Sequence, residues 1–437
     1  MPISMRTFEP RVLTVLSLLL GTVMLTAQQS NTVSAPAETI TVEEAINEAL
    51  RNNLALLAQR LDLSVANASL VTAALRPNPV ISTAADHLDI LGTGFNQLNA
   101  AGPAEYSTRV DMPIERANKR QFRIETASYT RQLAEAELAD AARRLRQDVV
   151  LACIDLLEAK AKLRLAQDNF GALERLVKVN EARLTGGAIA PVELTRSRVA
   201  MLQYAASVKA AELRVTTARL RLLPLLGRPA NAGPVDLIGD LRPDSILPPV
   251  DIAQLQDQAT INRPDLQRLR IEQARSQAEL RLQIAQGRID YTVGMEYRRQ
   301  QGINGRSNSL GFFFSAPLPV SNRNQGEIAR VQAEQERAKR SIRALENSIA
   351  GALRAAWQEF DTARQLVTEL ESTLLRPSEE ARDTTAYVYR AGATNLVDVL
   401  DAQRAFNETM LILYDSQAAY LRARANLSAV VGVEVAQ

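Results

Sequence analysis

One cysteine (Cys153) and one histidine (His87) are all that 437 residues supply of those two ligand types. A disulfide within the chain is excluded. A His/Cys metal site within one chain is nearly so, because structural zinc takes about four such ligands. A hydrolytic triad would have to use His87, which lies among small and polar residues, and the chain carries no nucleophile elbow. No catalytic residue, cofactor or resident metal is therefore expected. Net charge is only +2, too little basicity for a nucleic-acid partner. Aromatics make up 4% although apolar residues reach 46%. The bulk comes from Ala, Leu and Val with Arg, Gln and Glu between them, a mix that favours long, closely packed helices.

Past residue 30 no apolar run reads as long enough for a spanning helix, so a membrane crossing is expected to use strands. The N-terminus reads as a secretory signal over residues 1–27. Arg6 and Arg11 flank the apolar stretch Val12–Leu25, and Leu25-Thr26-Ala27 suits a cleavage site. An uncleaved anchor is the alternative, but the stretch is shorter than the ~20 residues of a span. No cysteine follows it, which excludes lipid attachment to an N-terminal cysteine.

The length suggests two or three domains, and an internal repeat divides the remainder. Residues 28–224 form a first unit and 251–437 a second. The connector 225–250 holds Pro229, Pro234, Pro243, Pro248 and Pro249. A long helix is predicted from about Asn118 to Leu184. Its heptad series is Val149, Leu156, Leu163, Phe170, Val177, Leu184, with a companion series at Leu145, Ala152, Ala159, Ala166, Leu173 and Asn180. Adding 204 gives Leu353, Phe360, Val367, Leu374, Ala381 and Val388, and a companion series in which only Pro377 is out of character. Each long helix ends at glycine: Gly186-Gly187, then Gly392. A second helix follows each turn, with seams Leu194–Met201–Val208–Val215–Leu222 and Val399–Phe406–Leu413–Tyr420–Leu427, now 205 apart. The extra residue is expected near the turn, where length changes are tolerated.

Between the opening helix and the long helix of each unit, the period changes to two. Tyr106, Thr108, Val110 and Met112 alternate with Ser107, Arg109 and Asp111. Tyr291, Val293, Met295 and Tyr297 alternate with Thr292, Gly294, Glu296 and Arg298. Leu310, Phe312 and Phe314 continue the theme, and Val80–His87 is a weaker member. Loops are expected over Gly92–Pro103 and Gly302–Asn308, with Pro113 and Pro317 closing the strands. Such segments match tilted membrane strands in length; small soluble hairpins, in a pore-less coiled-coil scaffold, are the alternative. About four strands per chain cannot close a barrel, since the smallest membrane barrels have about eight. Several chains must then contribute.

The duplicated order helix, strand pair, long helix, turn, helix resembles the TolC-like outer membrane factor (outer membrane efflux protein) family. So does Tyr-Arg-Ala-Gly-Ala-Thr-Asn-Leu-Val-Asp-Val-Leu-Asp-Ala-Gln-Arg (Tyr389–Arg404), with a weaker counterpart at Gly187–Arg198. The resemblance covers nearly everything from Thr41 onward. It implies a mainly α chain with a small β part. Three chains would close a twelve-stranded barrel in the outer membrane, and their helical hairpins would continue it as a hollow α-barrel through the periplasm. The implied function is a passive export duct. Its implied partners are two further copies, a periplasmic adaptor (membrane fusion protein), an inner-membrane efflux pump and outer-membrane lipid. Pro319–Ala329 and Arg76-Pro77-Asn78-Pro79 are similar to the branch that exports cobalt, zinc, cadmium or copper.

The same resemblance implies site residues. Asp398 and Asp401, three apart and so on one helix face, would ring the narrow periplasmic end with six carboxylates and form a gate. Repulsion among them would need cations or arginines in compensation. In the first unit Glu193 matches Asp398, but Arg196 matches Asp401. The turns at Gly186, Gly187 and Gly392, with Arg390, would be the tips where an adaptor docks. Arg183 and Arg390 could bind acceptor groups on the adaptor or pair with neighbouring acids, with solvated surface the stronger reading of each alone. His87 reads as a strand-end residue facing loop or water, and Cys153 and Trp357 as packing groups.

Overall fold

The structure is a computed structural model describing residues 38–434, apart from 89, 93–103, 234, 244, 249–250 and 303–304. The expected signal sequence and most of the expected loop Gly92–Pro103 lie outside the described residues. Two halves run the same order of elements. The first holds α1 (Val42–Asn52), α2 (Leu54–Ala74), β2 (Val80–Asp86), β3 (Glu105–Ile114), α3 (Lys119–Thr185) and α4 (Pro191–Leu225). The second holds α5 (Ile252–Asn262), α6 (Pro264–Gln286), β5 (Tyr291–Gly302), β6 (Gly305–Ser315), α7 (Gln325–Glu369), a π-turn (Leu370–Leu374), α8 (Leu375–Arg390) and α9 (Leu396–Val431). Two short strands, β1 (Glu38–Ile40) and β4 (Val235–Leu237), pair in parallel. Sequence periodicity missed them because three residues are too few to alternate, and β4 sits inside the Pro-rich connector.

α3 runs 67 residues, about 100 Å at 1.5 Å per residue. Its heptad face carries the core: Val149, Cys153 and Leu156 are fully buried with Leu222 of α4, under α1 and the β1–β4 pair. The second half repeats this with Leu353, Phe360 and Val367 of α7 against Tyr420 and Leu427 of α9. Trp357 packs at the edge of that cluster. Cys153 is an inert packing group, and burial pushes its thiol up to about 12. Both long helices start after an asparagine in the left-handed region, Asn118 (φ +57°) and Asn324 (φ +65°). Asparagine tolerates that region well.

Two expectations about the helices need correction. The extra residue of the second half is not near the tip. Buried positions keep the 204 spacing through Val367, then shift: Leu374 and Ala381 are exposed, and Tyr389, not Val388, is buried. Tyr389 lies 205 from Leu184, so the π-turn at Leu370–Leu374 takes up the residue. Pro377 explains its place. Its ring excludes the carbonyl four residues back, that of Thr373, and it has no N–H to offer. A wider turn displaces that carbonyl. The hydroxyls of Ser372 and Thr373 donate to the carbonyls of Thr368 and Glu369 across the same stretch.

The second correction concerns α2. At 21 residues it is long and apolar enough to cross a membrane by composition, yet only 11% of its apolar window is buried. It leans on α3 and leaves Leu54, Leu61, Val65 and Val71 exposed. The presence of Arg60 and Asp62 within it fits a partner helix better than lipid.

The four long strands form one antiparallel sheet in the order β2-β3-β5-β6. Asp111 faces Val80 and Gly294, and Glu296 faces Gly311, so like faces align across all four strands. β6 begins at Gly305 and Asn308 pairs with Arg299, so most of the loop expected over Gly302–Asn308 is strand, with residues 303–304 outside the described ones. Pro113 lies one residue inside β3 rather than closing it; the pairing with β2 stops at Asp111, so its missing N–H leaves no β2 ladder bond unmade.

Candidate functional site

The two faces of the sheet differ in chemistry. Ile81, Tyr106, Val110, Met112, Met295, Phe312 and Phe314 are exposed on one face. The other carries ion pairs: Arg109–Asp111 (2.8 Å), Arg298–Glu296 (2.9 Å) and Arg298–Glu105 (3.1 Å). The Arg109–Asp111 pair packs against Gly294, where a Cβ would meet Asp111 Oδ1 at 2.3 Å and Arg109 Nε at 3.2 Å, and the Arg109 guanidinium sits 4.1 Å from the Phe313 ring centre. Apolar out and charged in is the pattern of a barrel wall with a wet lumen. β2 and β6 are the sheet's unpaired edges, and a bilayer does not tolerate open edges.

At the far end of the helices the two turns are built alike. Gly187 (φ +71°) and Gly392 (φ +82°) each hold the left-handed position that closes a helix. Ala188 N–H donates to the Arg183 carbonyl at 2.8 Å, and Ala393 N–H to the Val388 carbonyl at 3.0 Å. Gly186 stands one residue earlier with an ordinary negative φ. The first tip also touches the second. The Arg183 guanidinium lies 4.9 Å from the centre of the Tyr389 ring, within 3.5 Å of where a Cβ on Gly392 would be. Arg390 is exposed, and its Nε donates to the Ala386 carbonyl at 3.3 Å.

Asp398 and Asp401 lie in the first turns of α9, and both are exposed in the single chain. Asp398 is also a structural residue. Its N–H donates to Asn395 Oδ1 at 2.9 Å, and its carboxylate accepts from the Thr394 hydroxyl. That arrangement caps the helix and places a carboxylate at its positive end. Asp401 pairs with Arg404 at 3.2 Å, an exposed contact of small worth. In the first half Glu193 is half-buried and Arg196 exposed, and Arg198 pairs with Glu181 of α3 at 2.7 Å.

Behind the tips runs a polar seam that sequence reasoning missed. Asn180 of α3 is fully buried, and its Oδ1 accepts from the Tyr389 hydroxyl at 2.8 Å. Among the described residues its Nδ2 finds no hydrogen-bond partner. Farther from the tip, Gln403 Nε2 donates to Asn169 Oδ1 at 2.9 Å, and Asn169 Nδ2 to Asn407 Oδ1 at 2.6 Å. The available signal was Asn180 in a heptad slot filled elsewhere by Leu and Ala; a polar residue there fixes register. Higher still, Glu158 of α3 is bound by Lys162 and by Arg422 of α9. Burial pushes its carboxyl up, but those hydrogen bonds more than offset this and hold it below its ordinary value.

His87 sits beyond the end of β2, exposed and at φ +55°. Among the described residues no group of three or more His, Cys, Asp or Glu is placed to hold a metal ion.

The cobalt-zinc-cadmium resistance protein CzcC of Cupriavidus metallidurans is 28% identical over 368 residues, covering 84% of this chain and 83% of its own. The pyoverdine export outer membrane protein OpmQ of Pseudomonas putida is 26% identical over 389 residues, covering 82% of this chain and 78% of its own. The crystal structure of the Campylobacter jejuni CmeC outer membrane channel superposes with a TM-score of 0.73 at 12% identity, over 91% of this chain and 87% of that one. The sheet with one charged face and the paired helical hairpins are the fold of TolC-like trimeric channels. Residues 45–228 and 255–433, spanning both halves, match the family described as outer membrane efflux protein, and the chain belongs to that family of passive export channels.

Proposed function

We propose that three copies of this chain form an exit duct for metal cations, coupled through a periplasmic adaptor to an inner-membrane pump and narrowed at the periplasmic tip by Asp398 and Asp401. The observation that carries the duct is the four-stranded sheet with two open edges, apolar on one face and ion-paired on the other. Three such sheets give twelve strands. The chain alone exposes 28427 Å², against about 16,000 Å² for a compact monomer of 47.9 kDa. The exposed apolar residues of α2 belong to the surface that neighbouring copies would cover.

Support for the gate is electrostatic. Neither carboxylate is buried or strongly neutralised within one chain, so a threefold axis at the tip would gather six negative charges. Such a ring attracts cations. Single-channel conductance tests it. Asp398→Asn with Asp401→Asn removes the charge and retains an acceptor for Thr394. The current is expected to rise and lose its block by divalent cations. Equal currents from both proteins would keep the duct and remove the gate.

Docking at Gly186, Gly187, Arg390 and Gly392 is supported by their exposed position at the closed ends of the hairpins. The metal cargo is supported by the likeness to CzcC, whereas OpmQ, at similar identity, exports pyoverdine. Cobalt, zinc and cadmium tolerance of the host, with and without this chain, decides between them: unchanged tolerance would sink the metal reading.

A further inference from the structure

Each chain crosses four times between sheet and helix on the periplasmic side of the sheet. These connections are Leu75–Pro79, Glu115–Asn118, Gly287–Asp290 and Ala316–Asn324. Each holds one exposed arginine: Arg76, Arg116, Arg288 and Arg323. None of the four makes an ion pair among the described residues. The cations one helical turn inward behave differently. Lys119 pairs with Asp290 at 2.7 Å, Arg123 with Glu115, and Arg281 with Glu125. Carboxylates are thus at hand at this level, yet the arginines at the connections are left without them.

The surroundings define the height of this belt. Arg116 lies on the apolar, outward face: its guanidinium is 4.4 Å from the Tyr291 ring centre and bonds the Tyr291 hydroxyl, and Tyr291 meets Phe314 at 5.1 Å. Arg323 Nε donates to the Pro319 carbonyl at 3.2 Å. Leu318 and Val320, in the same connection, are 82% and 78% exposed. Apolar side chains, aromatic rings and then arginines, in that order, follow the passage from hydrocarbon to headgroup.

We propose that Arg76, Arg116, Arg288 and Arg323 form a belt that binds the phosphate groups of anionic phospholipids in the periplasmic leaflet of the outer membrane. Three copies set twelve arginines around the waist of the barrel, where they fix its height in the bilayer. The proposal rests on the strands spanning that membrane.

The test reconstitutes the trimer in vesicles of equal phosphatidylglycerol and phosphatidylcholine, extracts it in neutral detergent, and quantifies the retained lipids by mass spectrometry. The wild type is expected to retain phosphatidylglycerol in excess, with affinity falling about fivefold for each of R76Q, R116Q, R288Q and R323Q. The fourfold Arg→Lys protein, which keeps the charge, is expected to retain the excess and serves as the folded control. Retention at the bulk ratio by wild type, or an excess unchanged in the fourfold Gln variant, overturns the belt while leaving the barrel. Failure to insert brings down the barrel reading and the belt with it. Chloride and inorganic phosphate at equal ionic strength separate the sources. Equal displacement of lipid marks a headgroup site, and selective displacement by inorganic phosphate marks a site for the free ion and overturns the lipid assignment.

Discussion

Replacing Tyr389 with phenylalanine removes one oxygen from a pair that ties α8 to α3. The Tyr389 hydroxyl is the hydrogen-bond donor to Asn180 Oδ1, and the Asn180 Nδ2 already lacks a partner. Asn180 is fully buried, so water cannot replace the lost donor. Phenylalanine fills the same space, which leaves no cavity term. The cost is that of an orphaned buried amide, about 1–3 kcal/mol. It falls on the local opening of the tip, so exchange there should quicken about fivefold to a hundredfold. Hydrogen exchange by mass spectrometry on the trimer, following residues 181–188 and 387–393, reads it directly. Adding Asn180→Leu should restore most of the loss, because replacing both partners by apolar groups is nearly neutral. Unchanged exchange in the single variant, or a double variant worse than the single, would refute the reasoning.

Two further outcomes follow from single positions. A Cβ at Gly227 (φ +77°) would stand 2.2 Å from the Asn52 carbonyl oxygen, whereas one at Gly187 (φ +71°) meets nothing within 4 Å. Gly187→Ala should therefore cost about 1–2 kcal/mol of backbone strain alone, and Gly227→Ala clearly more, as thermal melts of the trimer will show; equal costs would contradict the packing of α1 on the connector. Glu158, held below its ordinary value of 4.5, adds stability that is whole above that pH and fades as pH falls through its lowered folded value. Melting followed from neutral pH into the acid range should fall less steeply for Glu158→Gln; parallel curves would remove Glu158 from the account.

The repeat, the long hairpins, their glycine ends and the four alternating strands are legible in the residues alone. Each is a local period of 3.5 or 2, or a turn chemistry, written in consecutive residues. The spacing of Asp398 and Asp401 put them on one helix face for the same reason, although the part of Asp398 in capping α9 through Asn395 and Thr394 was not drawn from it. The rest depends on contacts between distant segments. Pro377 announces a disturbance, but a kink and a π-turn both relieve its clash; the fold takes the π-turn, and beyond it Tyr389, not Val388, is buried. Asn180 and Tyr389 stand 209 residues apart, and the Glu38–Val235 pairing of β1 and β4 has no period to read. The belt of arginines is scattered over 247 residues and becomes one feature only when the sheet lines up its four ends, because proximity across a fold is set by register and packing rather than by spacing along the chain.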